Sequence, residues 1–380
     1  MKFFINSYFG DNQSIGLLSH IKKRLPYGMD DQWMVFSHYT ERGWTVDNLW
    51  HIFTDFYGGQ YAPLAFLSYL VLYAGFGYDP FYFHMFSLLL HIGCVCLVWK
   101  LISSLLRVHG GVSEKQILYV NFITTLLFAV HPINVEAVAW ISALKVLLYA
   151  FFYLLGLLCY LRYIRTSKIF YYVLTIGCFL CSFWGKEQAV TFPLALLIVD
   201  WFTNRNMKNL EVWSEKMSFL IMAFFFGIIT VLSQGKGPYE MIFPLYQRLL
   251  FGCFALVEYI TKSLLPVNLN FFYPFPIVLG EEPPLHYYLY PVVLLFLMGW
   301  IIAYRNNRYL VFGVLLFLVN LLFSIHLFNM SRHAIVADRY MYLSYVGIAF
   351  LIANGIWWLR KRLSYFKAAL VFLFFYCFFL

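Results

Sequence analysis

The chain alternates long apolar runs with short polar joints. A run of roughly 17–25 apolar residues can cross about 30 Å of hydrocarbon as a helix. Such runs lie near 80–107, 116–130, 142–164, 168–184, 187–203, 215–233, 287–304, 308–327, 339–358 and 365–380. A further candidate near 249–266 carries Glu258 and Lys262 and ends at Pro266, and the parity of crossings between basic joints makes it interfacial or re-entrant on the outer side. The pattern predicts an all-α integral membrane protein, a polytopic bundle of about ten or eleven spans with interfacial helices on the non-cytoplasmic side. It reads as a single domain over 1–380: a non-spanning segment and first outer loop at 1–79, then the bundle over 80–380, with an outer insertion near 234–286. No solenoid or propeller period is visible.

Basic joints set the orientation, because cytoplasmic loops collect Lys and Arg. Arg162, Arg165 and Lys168 form one cluster; Arg205, Lys208 and Lys216 another; Arg305 and Arg308 a third; Arg360, Lys361 and Arg362 a fourth. All four share the cytoplasm when 249–266 does not cross. The outer loops then hold Asp30, Asp31, His131, Glu136, Lys186, Glu187, Arg248, Arg332, His333, Asp338 and Arg339. Residues 1–29 contain no span and no signal-peptide pattern. Lys22, Lys23 and Arg24 favour the inside, whereas this topology needs Asp30 and Asp31 outside.

Composition agrees with a bilayer protein. The 380 residues are 62% hydrophobic and 12% charged, where soluble chains carry roughly 25% charged residues. The 42 Phe and 30 Tyr suit lipid-facing helices with rings at headgroup level. The net charge of +9 is split among short clusters, which fits orientation and anionic lipid rather than nucleic acid. All seven cysteines lie in apolar segments, and Cys178 and Cys181 read as core rather than as a metal or redox pair.

Three passages go beyond composition. One runs from Asp30-Asp31 through Trp44-Thr45-Val46-Asp47-Asn48-Leu49 and Pro63-Leu64 to the His84–His91 helix. The second is His131-Pro132-Ile133-Asn134-Val135-Glu136-Ala137-Val138-Ala139-Trp140, and the third Ala337-Asp338-Arg339-Tyr340-Met341-Tyr342-Leu343. With Trp184-Gly185-Lys186-Glu187-Gln188-Ala189-Val190-Thr191 and the stretch Leu264–Pro274, they resemble the membrane portion of the transmembrane and tetratricopeptide-repeat-containing proteins and their bacterial relatives, over roughly residues 30–358. That family belongs to the GT-C class of lipid-dependent glycosyltransferases.

The resemblance implies sugar transfer from a polyprenyl-phosphate donor to a protein or glycan acceptor outside the cytoplasm, in a bacterial inner membrane or the endoplasmic reticulum. It matches Asp30 or Asp31 to the acidic residue that deprotonates or steers the acceptor; either can also be read as a helix N-cap. The chemistry needs a base at the acceptor hydroxyl and cations where charge grows on the departing phosphate. Arg332 and Arg339 suit the second role, since a guanidinium bonds two phosphate oxygens at once. Lys186, Lys262 and Arg248 are further candidates, and Arg339 can instead pair with Asp338 or snorkel.

His84, Ser87 and His91 share one helix face, as a pocket wall or as interhelical hydrogen bonds. Pro132 restricts His131 and ends a helix there. Glu136 and Trp140 then stand at i, i+4, the first to bind sugar hydroxyls and the second to stack on a sugar or anchor at the interface.

The chain departs from the family pattern in three places. It shows no span before the acidic loop and no tetratricopeptide tail, and Ala143, Leu144, Lys145 and Val146 replace a charged Glu-Arg-Lys-Asp run. A rival expectation is therefore a catalytically degenerate subunit, with a partner helix in place of the absent first span. A transporter would show inverted repeats and broken helix pairs, which are not found. No cofactor is implied beyond the lipid-linked sugar, and no ligand spacing decides for or against a divalent cation.

Overall fold

In hydrocarbon, backbone N–H and C=O groups find no water and must bond within their own segment; the apolar runs accordingly become helices. The structure is a computed structural model and describes residues 30–234, 243–327 and 334–362. The 1–29 segment, Arg332, His333 and the run near 365–380 lie outside the described residues.

Four short helices, α1 (Asp31–Met34), α2 (His38–Glu41), α3 (Val46–Thr54) and α4 (Pro63–Phe76), precede the first long one. The long helix α5 (Pro80–His109) starts where Asp79 accepts the Phe81 N–H at 3.0 Å and Pro80 takes the first helical position, which needs no donor. Helix α6 (Glu114–Val130) is capped by Ser113. It breaks by 51° before Pro132, because proline forces His131 into extended backbone (φ −67, ψ 129). The chain continues through α7 (Val135–Ala139), α8 (Leu144–Thr166), α9 (Ile169–Gly185), α10 (Phe192–Phe202), α11 (Leu210–Gln234), α12 (Leu245–Leu264), α13 (Leu289–Ala303), α14 (Arg308–Leu321) and α15 (Met341–Arg362). The only strands among the described residues are β1 (Tyr273–Pro274) and β2 (Ala334–Val336), paired antiparallel.

The result is an all-α, multi-pass membrane chain. Among the described residues five helical stretches are long and apolar enough to cross: Pro80–His109, Ile141–Thr166, Leu210–Ser233, Leu285–Ala303 and Asp338–Arg360, or six with the bent pair counted. This is fewer than the ten or eleven spans the sequence suggests. Several runs fold as shorter helices, of 17 residues in α9, 14 in α14 and 11 in α10. Seventeen residues rise about 26 Å, and part of the 187–203 run is spent on the 3-10 turn Glu187–Thr191. Helix α12, read as non-crossing, is absent from the crossing set. Both its ends bond the chain that follows it within the insertion: Gln247 donates to the Glu281 carbonyl at 2.9 Å and Lys262 to that of Asn268 at 3.1 Å.

Close helix contacts rest on small residues, as membrane packing requires. A Cβ on Gly347 would lie 2.5 Å from the Gly313 carbonyl oxygen, so α14 and α15 meet backbone to backbone. A Cβ on Gly185 would lie 2.7 Å from the Tyr149 nitrogen, where α9 meets α8.

The two ends of the bundle differ. At one, the starts of α8 and α15 meet α1, α7 and the end of α9. At the other, His109 bonds the Phe202 carbonyl at 2.8 Å, and an ionic cluster joins α8, α10 and α11. There Asp200 accepts from the Tyr160 hydroxyl at 2.7 and 2.8 Å and pairs with Lys216; both Asp200 and Lys216 are 0% exposed. Arg205 bridges Asp200 at 3.2 Å and Glu215 at 2.6 Å. Lys216, counted from the sequence as part of a basic joint, is thus a buried partner inside α11.

Candidate functional site

The adjacent acids Asp30 and Asp31 have different surroundings. Asp31 is 1% exposed, and its Oδ1 accepts the Ser142 backbone N–H at 3.0 Å as well as the Ser142 hydroxyl. It thereby pins α1 to the turn that opens α8. Burial raises its carboxyl above the ordinary Asp range, against the lowering effect of the Ser142 bonds. Asp30 keeps about a third of its side chain exposed, 33%, with the Lys145 ammonium 4.0 Å away.

Lys145, which the sequence offers only as the remaining charge of an otherwise apolar departure from the family pattern, belongs to this group. It is 5% exposed in the first turn of α8 and donates to Gln60 Oε1 at 2.6 Å. A lone lysine inside an apolar run was the available signal, because charge at that depth is expensive unless a partner or cavity receives it. Gln60 is held by the tight turn Tyr57–Gln60, which exchanges backbone bonds of 3.1 Å in both directions. Gly58 and Gly59 sit at φ +59 and +72, the left-handed pair that a two-residue hairpin turn of this type demands.

Across from this group, Arg339 Nη1 donates to Glu136 Oε1 at 2.5 Å and its backbone N–H to Oε2 at 2.7 Å. The guanidinium lies 5.0 Å from the Trp140 ring centroid and 5.1 Å from that of Tyr340. Lys186 is 3% exposed, its ammonium 4.6 Å from the Tyr340 ring. Asp338 is 2% exposed and accepts the Tyr273 hydroxyl at 3.1 Å on both oxygens, while Lys262 sits 4.5 Å from the Tyr273 ring. Burial, with the Asp338 carboxylate second, holds the Tyr273 phenol far above its usual range. The two ion pairs, Lys145–Asp30 at 4.0 Å and Arg339–Glu136 at 2.5 Å, are joined through the short stretch from α7 into the start of α8.

The structure thus brings Asp30, Asp31, Glu136, Lys186, Asp338 and Arg339 to one end of the bundle. The histidines are differently placed. His91 bridges helices, Nδ1 to the Tyr342 hydroxyl at 2.7 Å and Nε2 to the Ala129 carbonyl at 3.2 Å. His131 is 2% exposed, accepts the Ile133 N–H at 3.3 Å and packs on the Tyr345 ring. His84 is half-buried in the second turn of α5. Among the described residues no three His, Cys, Asp or Glu converge as metal ligands.

Part of the chain aligns with curated proteins. Protein O-mannosyl-transferase TMTC2 of Mus musculus is 32% identical over 189 residues, 45% of this chain and 21% of that protein. Human TMTC2 is 33% identical over 189 residues, again 45% and 21%. Drosophila melanogaster Tmtc3 is 28% identical over 172 residues, 40% and 18%. This chain is a distant relative of these O-mannosyl-transferases. The aligned stretch spans about a fifth of the relatives' length, 21% in TMTC2. No family model matches the chain, and no solved structure matches it.

The Asp31 shift has a sign that can be checked. A carboxyl whose folded pKa is raised favours the native state most when protonated; that advantage declines as pH rises from the unfolded to the folded value. The melting-temperature advantage of wild type over Asp31→Asn is therefore expected to shrink as pH rises above about 4, the ordinary value of an Asp carboxyl. An advantage that grows over that range would mean the Ser142 bonds outweigh burial.

Proposed function

We propose that this chain is a GT-C-type membrane glycosyltransferase that moves a sugar from a polyprenyl-phosphate donor to a hydroxyl on a protein or glycan acceptor. The single observation that carries the reading is the presence of two ion pairs, Asp30–Lys145 and Glu136–Arg339, at one end of a membrane bundle. The relationship to O-mannosyl-transferases supports the same reaction class. In this reading that end faces away from the cytoplasm, in the endoplasmic reticulum or a bacterial inner membrane, and the shorter apolar helices cross beside the long ones.

Asp30, the more exposed acid, takes the proton from the acceptor hydroxyl as that oxygen attacks the anomeric carbon. The carbon–oxygen bond to phosphate breaks, and its electron pair leaves on the phosphate. Arg339 meets that growing charge with the end of its fork not committed to Glu136, and Lys186 adds positive charge beside Tyr340. Lys145 fixes Asp30 against α8. Arg332 would join the phosphate cations; it lies outside the described residues.

The rival reading, a non-catalytic subunit of a membrane complex, is favoured by Ala143, Leu144 and Val146, which are packed at 0%, 1% and 1% exposure where the resemblance implies charge. Retention of Lys145 beside Asp30 favours the enzyme. Arg339→Gln is expected to weaken polyprenyl-phosphate binding by roughly 10–100-fold, the value of a charged hydrogen bond, measured by lipid competition in nanodiscs. Undiminished binding would remove Arg339 from the donor site. A constant co-purifying membrane protein, together with no transfer to any acceptor, would favour the subunit.

A further inference from the structure

The first loop holds an open cavity of about 370 Å³ lined by His38, Tyr39, Thr54, Asp55, Phe56 and Tyr57. Its volume is at the small end of ligand sites, which run about 300–1,000 Å³, and suits one or two sugar rings. The wall is rigid. Tyr57 meets the His38 ring edge-on at 5.1 Å and the Tyr39 ring at 5.4 Å. Phe66 backs both tyrosines, and Trp33 packs 5.9 Å from Tyr57.

The polar groups are oriented in advance. Asp55 Oδ2 takes both the Tyr39 hydroxyl at 2.9 Å and His51 Nδ1 at 3.1 Å, which fixes the carboxylate in the cavity wall. The Thr54 hydroxyl gives its proton to the Trp50 carbonyl at 2.9 Å and so presents lone pairs. Aromatic rings for a C–H face, with fixed acceptors for hydroxyl protons, are the chemistry of a neutral sugar. The lining contains no Lys or Arg, so a lipid phosphate would find no permanently charged partner there. Tyr57 also opens the turn whose last residue, Gln60, bonds Lys145 beside Asp30.

We propose that this cavity is an acceptor subsite for a neutral pyranose, so that the acceptor is a glycan or an already glycosylated chain. The proposal rests on the glycosyltransferase reading and names its acceptor class. The test uses the full chain in nanodiscs, with methyl glucoside, methyl mannoside and methyl galactoside as probes in saturation-transfer NMR. At least one is expected to bind saturably. Asp55→Asn and Tyr57→Ala are each expected to weaken that binding at least tenfold. Asp55→Asn keeps the side-chain shape, so it remains decisive if Tyr57→Ala does not fold. Absence of pyranoside binding, or binding indifferent to Asp55→Asn, overturns the subsite, as does equal transfer to a bare Ser/Thr peptide by wild type and Asp55→Asn. Pyranoside binding that Asp55→Asn weakens, with no sugar transfer from any polyprenyl-phosphate donor, would leave the subsite standing and remove the glycosyltransferase reading.

Discussion

Asp30→Asn is expected to cut sugar transfer by about 10²–10⁴-fold, the contribution of a positioned general base, while the protein still folds. The substitution keeps the side-chain shape and leaves Lys145 its bond to Gln60. Asp31→Asn is expected to behave otherwise. That side chain is buried and holds Ser142 on the turn into α8, so its loss lowers the melting temperature first, and activity falls in proportion to folded protein. Transfer from a radiolabelled polyprenyl-phosphate sugar, normalised to the monodisperse fraction in detergent, separates the two. Full activity in Asp30→Asn would remove the base from the mechanism. A loss in Asp30→Asn that merely tracks unfolding would demote Asp30 to a structural partner of Lys145.

The sequence disclosed what depends on local patterning. Apolar runs located the long helices, since a helix satisfies its own backbone wherever twenty apolar residues follow one another. The His131-Pro132 step located the break in α6, because proline restricts its neighbour whatever surrounds it. Span number was less legible. Hydropathy does not distinguish a run that continues as α-helix from one that tightens into a 3-10 turn, as Glu187–Thr191 does before α10.

Pairings between distant residues were not legible at all. Glu136 and Arg339 are 203 positions apart and Asp31 and Ser142 are 111 apart, so only the folded bundle decides that they meet. Asp338, the sequence neighbour considered for Arg339, bonds Tyr273 instead. For His91 the distinction between pocket wall and helix bridge required knowing that Tyr342 stands opposite. The opposite-end cluster escaped for a further reason: Arg205 and Lys216 look like joint residues in a charge count, and the count cannot see Asp200 buried between them.

That cluster carries the other large expected effect. Lys216→Met leaves Asp200 beside Tyr160, with only Arg205 to balance both Asp200 and Glu215. Breaking one partner out of a buried ion pair costs about 3–5 kcal/mol, because the other charge stays desolvated. Replacing both, Lys216→Met with Asp200→Asn, is expected to recover most of the loss, since no uncompensated buried charge then remains. Chemical denaturation of the single and double variants in one detergent gives the comparison as a double-mutant cycle. Strictly additive losses would show that the groups do not stabilise one another. Because Asp200 and Lys216 lie at the end remote from Asp30 and Arg339, transfer per folded molecule is expected to stay near wild type in all three variants. A fall in specific activity that follows the stability loss would mean that α8, which carries Tyr160 at this end and Lys145 at the other, transmits the position of one end to the other.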